Sequence, residues 1–195
     1  VPLNAALSAL WFRCRLRGLL TIGWNQAAVR LLSQRLTDVP DDTHALASLA
    51  HLLAEQGQPQ VATEHLQHLL TLRPDDATAW FNLGYLREQL GQASDAEAAF
   101  TRATQLAPRL DRAWYGLALS LIGQQRLEEA VAALRRVTAL QPMSPHGWYQ
   151  LARVHVQRQE LDQAEHIIEH LRGFEPRVAA QLVRETGLVA DPVPT

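Results

Sequence analysis

From residue 43 onward the apolar positions recur every 34 residues, and each period carries two helical stripes. Bulky residues stand at the fourth position (Leu46, Trp80, Trp114, Trp148) and leucines at the seventh (Leu49, Leu83, Leu117, Leu151). Small residues follow at the eighth: Ala50, Gly84, Ala118 and Ala152. With the eleventh position, these share one face of a first helix, A. The twentieth position is Ala62, Ala96, Ala130 and Ala164, and the twenty-fourth is Leu66, Phe100, Leu134 and Ile168. Together with Leu69, Ala103, Val137 and Leu171 at the twenty-seventh, they share one face of a second helix, B. Small residues at positions 8 and 20 let the helix axes approach closely, and the Trp and Phe rings are expected to fill the layer between repeats.

Polar and special residues punctuate the stripes. Pro74, Pro108, Pro142 and Pro176 end each helix B, because proline lacks an amide hydrogen and disfavours helix in the residue before it. Asp41-Asp42 and Asp75-Asp76 follow prolines, where a carboxylate can cap the next helix. Gly57 and Gly91 mark the turn between helices A and B; Gln125 and Gln159 replace them later, which predicts turns of a different build. Four repeats result, at 43–76, 77–110, 111–144 and 145–178, without an insertion.

The ends keep the pattern more loosely. Counting back 34 residues places Gly23 at the turn, Ala28 and Leu32 on helix B and Pro40 at its end, so 9–42 reads as a degenerate repeat within an N-terminal region 1–42. Arg15 and Arg35 occupy its normally apolar positions 7 and 27. A short helix is expected from Pro176 to near Gly187, capping the last repeat within 179–195, and Asp191–Thr195 is expected to be disordered.

This period and residue set resemble the tetratricopeptide repeat (TPR), of the small bacterial kind. The resemblance implies an all-α fold, a right-handed superhelical solenoid of antiparallel helix pairs whose concave face binds a peptide or a partner helix. It implies that positions 2, 5, 6, 9 and 12 of each helix A face the groove. Carried onto this chain, it proposes His51, Phe81, Asn82, Tyr85, Arg112, Tyr115, Tyr149 and Arg153 as partner-binding residues. Phe81, Tyr85, Tyr115 and Tyr149 would form an aromatic row, and Arg112 and Arg153 would receive an acidic group of the ligand. The TPR clamp for chaperone C-termini finds Ala47, His51, Asn82, Arg112 and Gly116 at its five positions; only Asn82 and loosely Arg112 fit, so that clamp is not expected.

Composition narrows the function without naming it. The formal charge is −2, lysine is absent, and the near-neutral balance argues against a nucleic-acid binder. A single cysteine, Cys14, excludes an intrachain disulfide and suits a reducing, cytoplasmic compartment. Leu3, Leu7, Leu10, Trp11, Cys14 and Gly18 form one helical stripe with Arg13 and Arg17 at its edge. This is too short an apolar run to span a bilayer. The favoured reading is a helix packed on the first full repeat, and the alternative is a helix lying on a membrane surface through residues 1–22. His166-Ile167-Ile168-Glu169-His170 matches a zinc-protease signature, but Ile168 takes the buried position and turns both histidines towards solvent. No phosphate loop or nucleophile–base arrangement stands out, so neither an enzyme, a cofactor nor a resident metal is expected. A non-enzymatic adaptor, scaffold or chaperone is the reading. Its rivals are the substrate-recruiting part of a larger enzyme, a secretion chaperone and a membrane-peripheral assembly factor. The oligomeric state and the partner's identity stay open.

Overall fold

The computed structural model describes the backbone of residues 3–188 and the side chains from Leu10 to Leu188. The tail Asp191–Thr195 and the side chains of Leu3 and Leu7 lie outside the described residues. Helices and turns account for the described backbone, with no strand among the described residues. The chain divides into two compact units, Val1–Leu90 and Gly91–Thr195.

The first unit holds α1 (Leu3–Ile22), α2 (Asn25–Asp38), α3 (Thr43–Glu55), α4 (Pro59–Leu72) and α5 (Ala77–Gln89), each packed on the next. Its core is the predicted stripe: Leu32, Leu46, Leu49, Ala62, Leu66, Leu69 and Leu83 are all buried. Removing a leucine side chain from water contributes about 1.5–3 kcal/mol, so these positions, more than helix propensity, hold the pairs together. Asp42 and Asp76 cap α3 and α5 as the sequence predicts, accepting the backbone N–H of Ala45 (3.1 Å) and Ala79 (3.0 Å).

The degenerate repeat solves its two arginines differently. Arg15 is exposed, while Arg35 donates from Nε to Asp42 Oδ2 at 2.7 Å and lays its guanidinium 5.3 Å from the centre of the Phe12 ring. A charge thus stands where the other repeats put an apolar side chain, and a carboxylate and an aromatic face satisfy it. α1 departs from expectation. It packs on α2 through Leu16, which is 3 % exposed, and turns Leu10, Trp11 and Cys14 outward. Among the described residues of the predicted stripe, these three therefore face solvent. Leu16 stands at the small position 8 and takes the inward place, about 180° from the centre of that stripe at 100° per residue.

The second unit holds α6 (Ala93–Leu106), α7 (Asp111–Gly123), α8 (Leu127–Leu140), α9 (Pro145–Gln157), α10 (Leu161–Arg172) and α11 (Pro176–Thr186). Successive helices pack on one another, and α11 also packs on α9. Phe100, Leu134, Ile168, Leu171 and Leu182 are fully buried. Gly116 is there because of Phe100: a Cβ on residue 116 would lie 2.6 Å from a carbon of that ring.

Two expectations need correction. Gln125 and Gln159 do not build a different turn: both take φ 61°, in the left-handed region where Gly57 (73°) and Gly91 (72°) also lie. The hydrogen bonds repeat as well, with Arg126 N–H to Leu121 O at 3.0 Å matching Gln58 N–H to Leu53 O at 2.9 Å. The turn's closing bonds impose the conformation, and the glutamines bear the strain that glycine avoids. The tryptophans are likewise not buried filler. Trp80, Trp114 and Trp148 are half-buried, and each indole N–H donates to the carbonyl of the preceding proline, Pro74 (2.9 Å), Pro108 (3.0 Å) or Pro142 (2.9 Å). An indole has one polar edge, and keeping it at the rim pins the inter-repeat turn with a bond that a buried leucine could not make.

Candidate functional site

In the first unit, α3 and α5 enclose a cleft of about 360 Å³. Its α3 wall is made of Ala47, Ala50 and Ala54, with His51 and Glu55 at the rim; its α5 wall is Phe81, Asn82 and Tyr85, with Gln89 at the rim. Leu66 and Leu86 complete the lining. The depth follows from the residues: three methyl side chains on one wall leave open the space that rings on the other partly fill. Tyr85 is 52 % exposed and Phe81 half-buried, so both can give up further apolar area to a ligand. The polar groups are few. Asn82 offers an amide that can bond a peptide backbone, and His51 Nε2 lies 3.4 Å from Glu55 Oε1.

All four residues proposed from the sequence as partner-binding in this unit, His51, Phe81, Asn82 and Tyr85, line this cleft. Sequence reasoning missed Glu55 and Gln89. Both stand at position 13 of their repeats, one place beyond the last position carried over, and their common place in the period was the available signal.

The second unit does not bring its four predicted residues together. Arg112 and Tyr115 line a cleft of about 380 Å³ with Asp111, Val137, Gln141, Ser144, His146 and Gly147. Tyr149 and Arg153 are not among its lining and meet α11 instead. The Tyr149 hydroxyl donates to Glu185 Oε2 at 2.7 Å, and the Arg153 guanidinium lies 5.6 Å from the centre of the Tyr149 ring. Hydrogen bonds from Gln181 and Tyr149, helped by the charges of Arg153 and Arg184, hold the Glu185 carboxyl below its ordinary value, and the hydrogen bond to Glu185 pushes the Tyr149 phenol up. An acidic group near Arg153 was expected from a ligand; the chain's own C-terminal helix supplies one. Gly116, another groove position by register, is buried under Phe100 and belongs to the packing.

The histidine signature of α10 also has a local use. His166 and His170 are exposed, and the His170 ring packs between Trp148 and Phe174, with centroids 4.5 and 5.3 Å away. Among the described residues no group of three or more His, Cys, Asp or Glu side chains could hold a metal ion. His155, which sequence reasoning passed over, is buried where other repeats carry Leu53 and Leu121, and its Nδ1 lies 2.6 Å from Glu160 Oε2. That bond and Arg158 hold the Glu160 carboxyl below its ordinary value and tie the end of α9 to the turn that follows.

Comparison with known proteins agrees with this architecture. Tetratricopeptide repeat family models match residues 47–111, and also 87–149 and 121–184. No curated protein matches the chain. Among solved structures, a MamA protein shares the fold with a TM-score of 0.80 at 18 % identity, over 94 % of this chain and 97 % of its own. MamA 41-end from Desulfovibrio magneticus RS-1 gives 0.76 at 23 % identity, over 92 % and 97 %. YrrB, described as a TPR protein with an unusual peptide-binding site, gives 0.76 at 15 % identity, over 87 % and 88 %. With its 34-residue period, its antiparallel helix pairs and these matches, the chain belongs to the tetratricopeptide repeat family.

Proposed function

We propose that this chain is a non-enzymatic, cytoplasmic protein-interaction module that binds a peptide or a partner helix through its A-helix faces, with the α3–α5 cleft as the principal site. One observation carries the reading: Phe81 and Tyr85 stand across from Ala47, Ala50 and Ala54 in an apolar recess with few polar groups. Such a recess suits a bulky apolar side chain, Asn82 suits the ligand backbone, and Glu55 suits a basic group beside it. The peptide-binding site named for YrrB, a protein of the same fold, is consistent with this use. The cleft around Arg112 and Tyr115 in the second unit is a further contact surface, suited to a polar or acidic group.

The test is selection from a random peptide library on the native protein, followed by titration of the enriched peptides. Micromolar binding to peptides with a bulky apolar residue is expected. Tyr85→Ala and Phe81→Ala should each weaken it by about tenfold or more, as truncating an interface anchor does. Tyr149→Phe should leave it unchanged. Peptides held equally well by both cleft variants would place the site elsewhere on the molecule.

A further inference from the structure

Two independent observations meet at the N-terminal end of the first unit. The first is charge. Residues 1–37 contain five arginines and no aspartate or glutamate, whereas residues 38–195 contain the other thirteen arginines and all twenty acidic residues. The formal charge is therefore +5 in the first segment and −7 in the rest, with histidines neutral. Arg35 is committed to Asp42, but Arg13, Arg15 and Arg17 of α1 are exposed.

The second observation is the outward face of α1. Leu10, Cys14, Trp11 and Ile22 fall within an arc of about 120° centred opposite the buried Leu16, and Arg15 and Arg17 flank that arc on its two sides. Trp11 is 75 % exposed, Ile22 65 %, and Trp24, just past the helix, 61 %. Two tryptophans, a leucine and an isoleucine held in water between arginines form an unpartnered apolar surface with a cationic border.

We propose that this face lies on an anionic bilayer, with α1 in the plane of the membrane surface. Trp11, Leu10, Ile22 and Trp24 would sit at the boundary of headgroups and acyl chains, where an indole's apolar body and polar N–H are both satisfied. Arg15 and Arg17, on the two sides of that face, would extend their guanidinium groups to lipid phosphates. No described helix is long and apolar enough to cross a membrane, so the contact is interfacial. Charge also selects the occupant. A second copy presenting the same face would bring the same exposed arginines and be repelled, whereas an anionic headgroup layer attracts them and repels the acidic remainder of the chain.

Sedimentation of the full chain with vesicles tests this, using phosphatidylcholine alone and with about 30 mol % phosphatidylglycerol. The native protein should bind the mixed vesicles only, and raising the salt from roughly 50 to 300 mM should weaken binding as screening predicts. Replacing both flanking arginines (R15Q and R17Q together) should reduce affinity roughly 25-fold, since each contributes about a factor of five near an anionic surface. A polarity-sensitive dye on Cys14, the single and exposed cysteine, should shift to the blue on binding, and W11S with I22S should abolish the shift. Circular dichroism should show these exposed substitutions leaving the helices intact. The Phe81→Ala, Tyr85→Ala double variant should sediment like the native protein, which separates this surface from the peptide cleft. No binding to either vesicle, equal binding to both, or binding indifferent to the arginines would overturn the proposal. So would self-association of the native chain that W11S disperses, which would make the face an interface between copies.

Discussion

Asp42 shows how one side chain can hold an irregular repeat to a regular one. It caps α3 through the Ala45 N–H and pairs with Arg35, the cation that replaces an apolar residue on α2. Burial pushes its carboxyl up, yet the bonds from Arg35 and from the Ala45 backbone outweigh it and leave the carboxyl below its ordinary value. A carboxyl with a lower pKa folded than unfolded adds stability that is fully present above the unfolded value, near 3.8, and is lost as pH falls through the folded one. Asp42→Asn keeps a capping oxygen and removes the charge. Its deficit relative to the native protein, measured by urea unfolding, should be constant from about pH 5 to 8 and shrink below about pH 4. A deficit that does not change with pH would mean that the ion pair contributes nothing. The cap was legible in the sequence because Asp-Asp follows proline twice. The Arg35 contacts were not, since Asp42 lies across a turn and Phe12 on another helix. Gln125 and Gln159 teach the same lesson in reverse: residue identity suggested a new turn, but the hydrogen-bond pattern of the helix pair dictated the old one.

Between elements, the repeats differ most where one ring is too large for its layer. Position 24 is leucine in three of the pairs that precede another repeat (Leu32, Leu66, Leu134), and the facing position 6 is then Ser48, Asn82 or Gln150. Where position 24 is Phe100, position 6 is Gly116, and the ring is 1 % exposed against that glycine. Gly116→Ala should gain about 1 kcal/mol of helix propensity yet destabilise by about 1–2 kcal/mol net, because a ring packed on all sides has no room to yield. Phe100→Leu should cost about 1–2 kcal/mol alone through the space it leaves. The double variant should be less destabilised than the sum by at least about 0.5 kcal/mol, since the smaller side chain accepts the new methyl. Strict additivity in urea unfolding would show that the two positions do not read each other. Register also explains why the first unit's cleft was legible and the second unit's only through Arg112 and Tyr115. His51, Phe81, Asn82 and Tyr85 sit on helices that follow the period, so register alone placed them. Tyr149 and Arg153 face α11, a helix outside the period, and no count along the repeats could show that Glu185 would meet them.

At the scale of the whole chain, the helices within each unit pack on their neighbours in sequence, and α11 also packs on α9. A fold held by such contacts loses stability near the damage before it loses it elsewhere. Leu182, fully buried on α11, is the sharpest place to ask this question. Leu182→Ala should cost about 2–5 kcal/mol locally, through lost burial and the cavity left behind. Because α11 packs on α9 and α10, hydrogen exchange in those three helices should speed up together. Amides of α3 and α4, whose partners are α2, α5 and each other, should keep their native protection at the same temperature. α1 should exchange faster than α3 and α4 even in the native protein, since Leu16 is the one buried apolar residue among its described side chains. If protection instead fell uniformly from α2 to α11, the chain would be unfolding as a single cooperative body. The repeat-by-repeat account of its stability would then have to be abandoned.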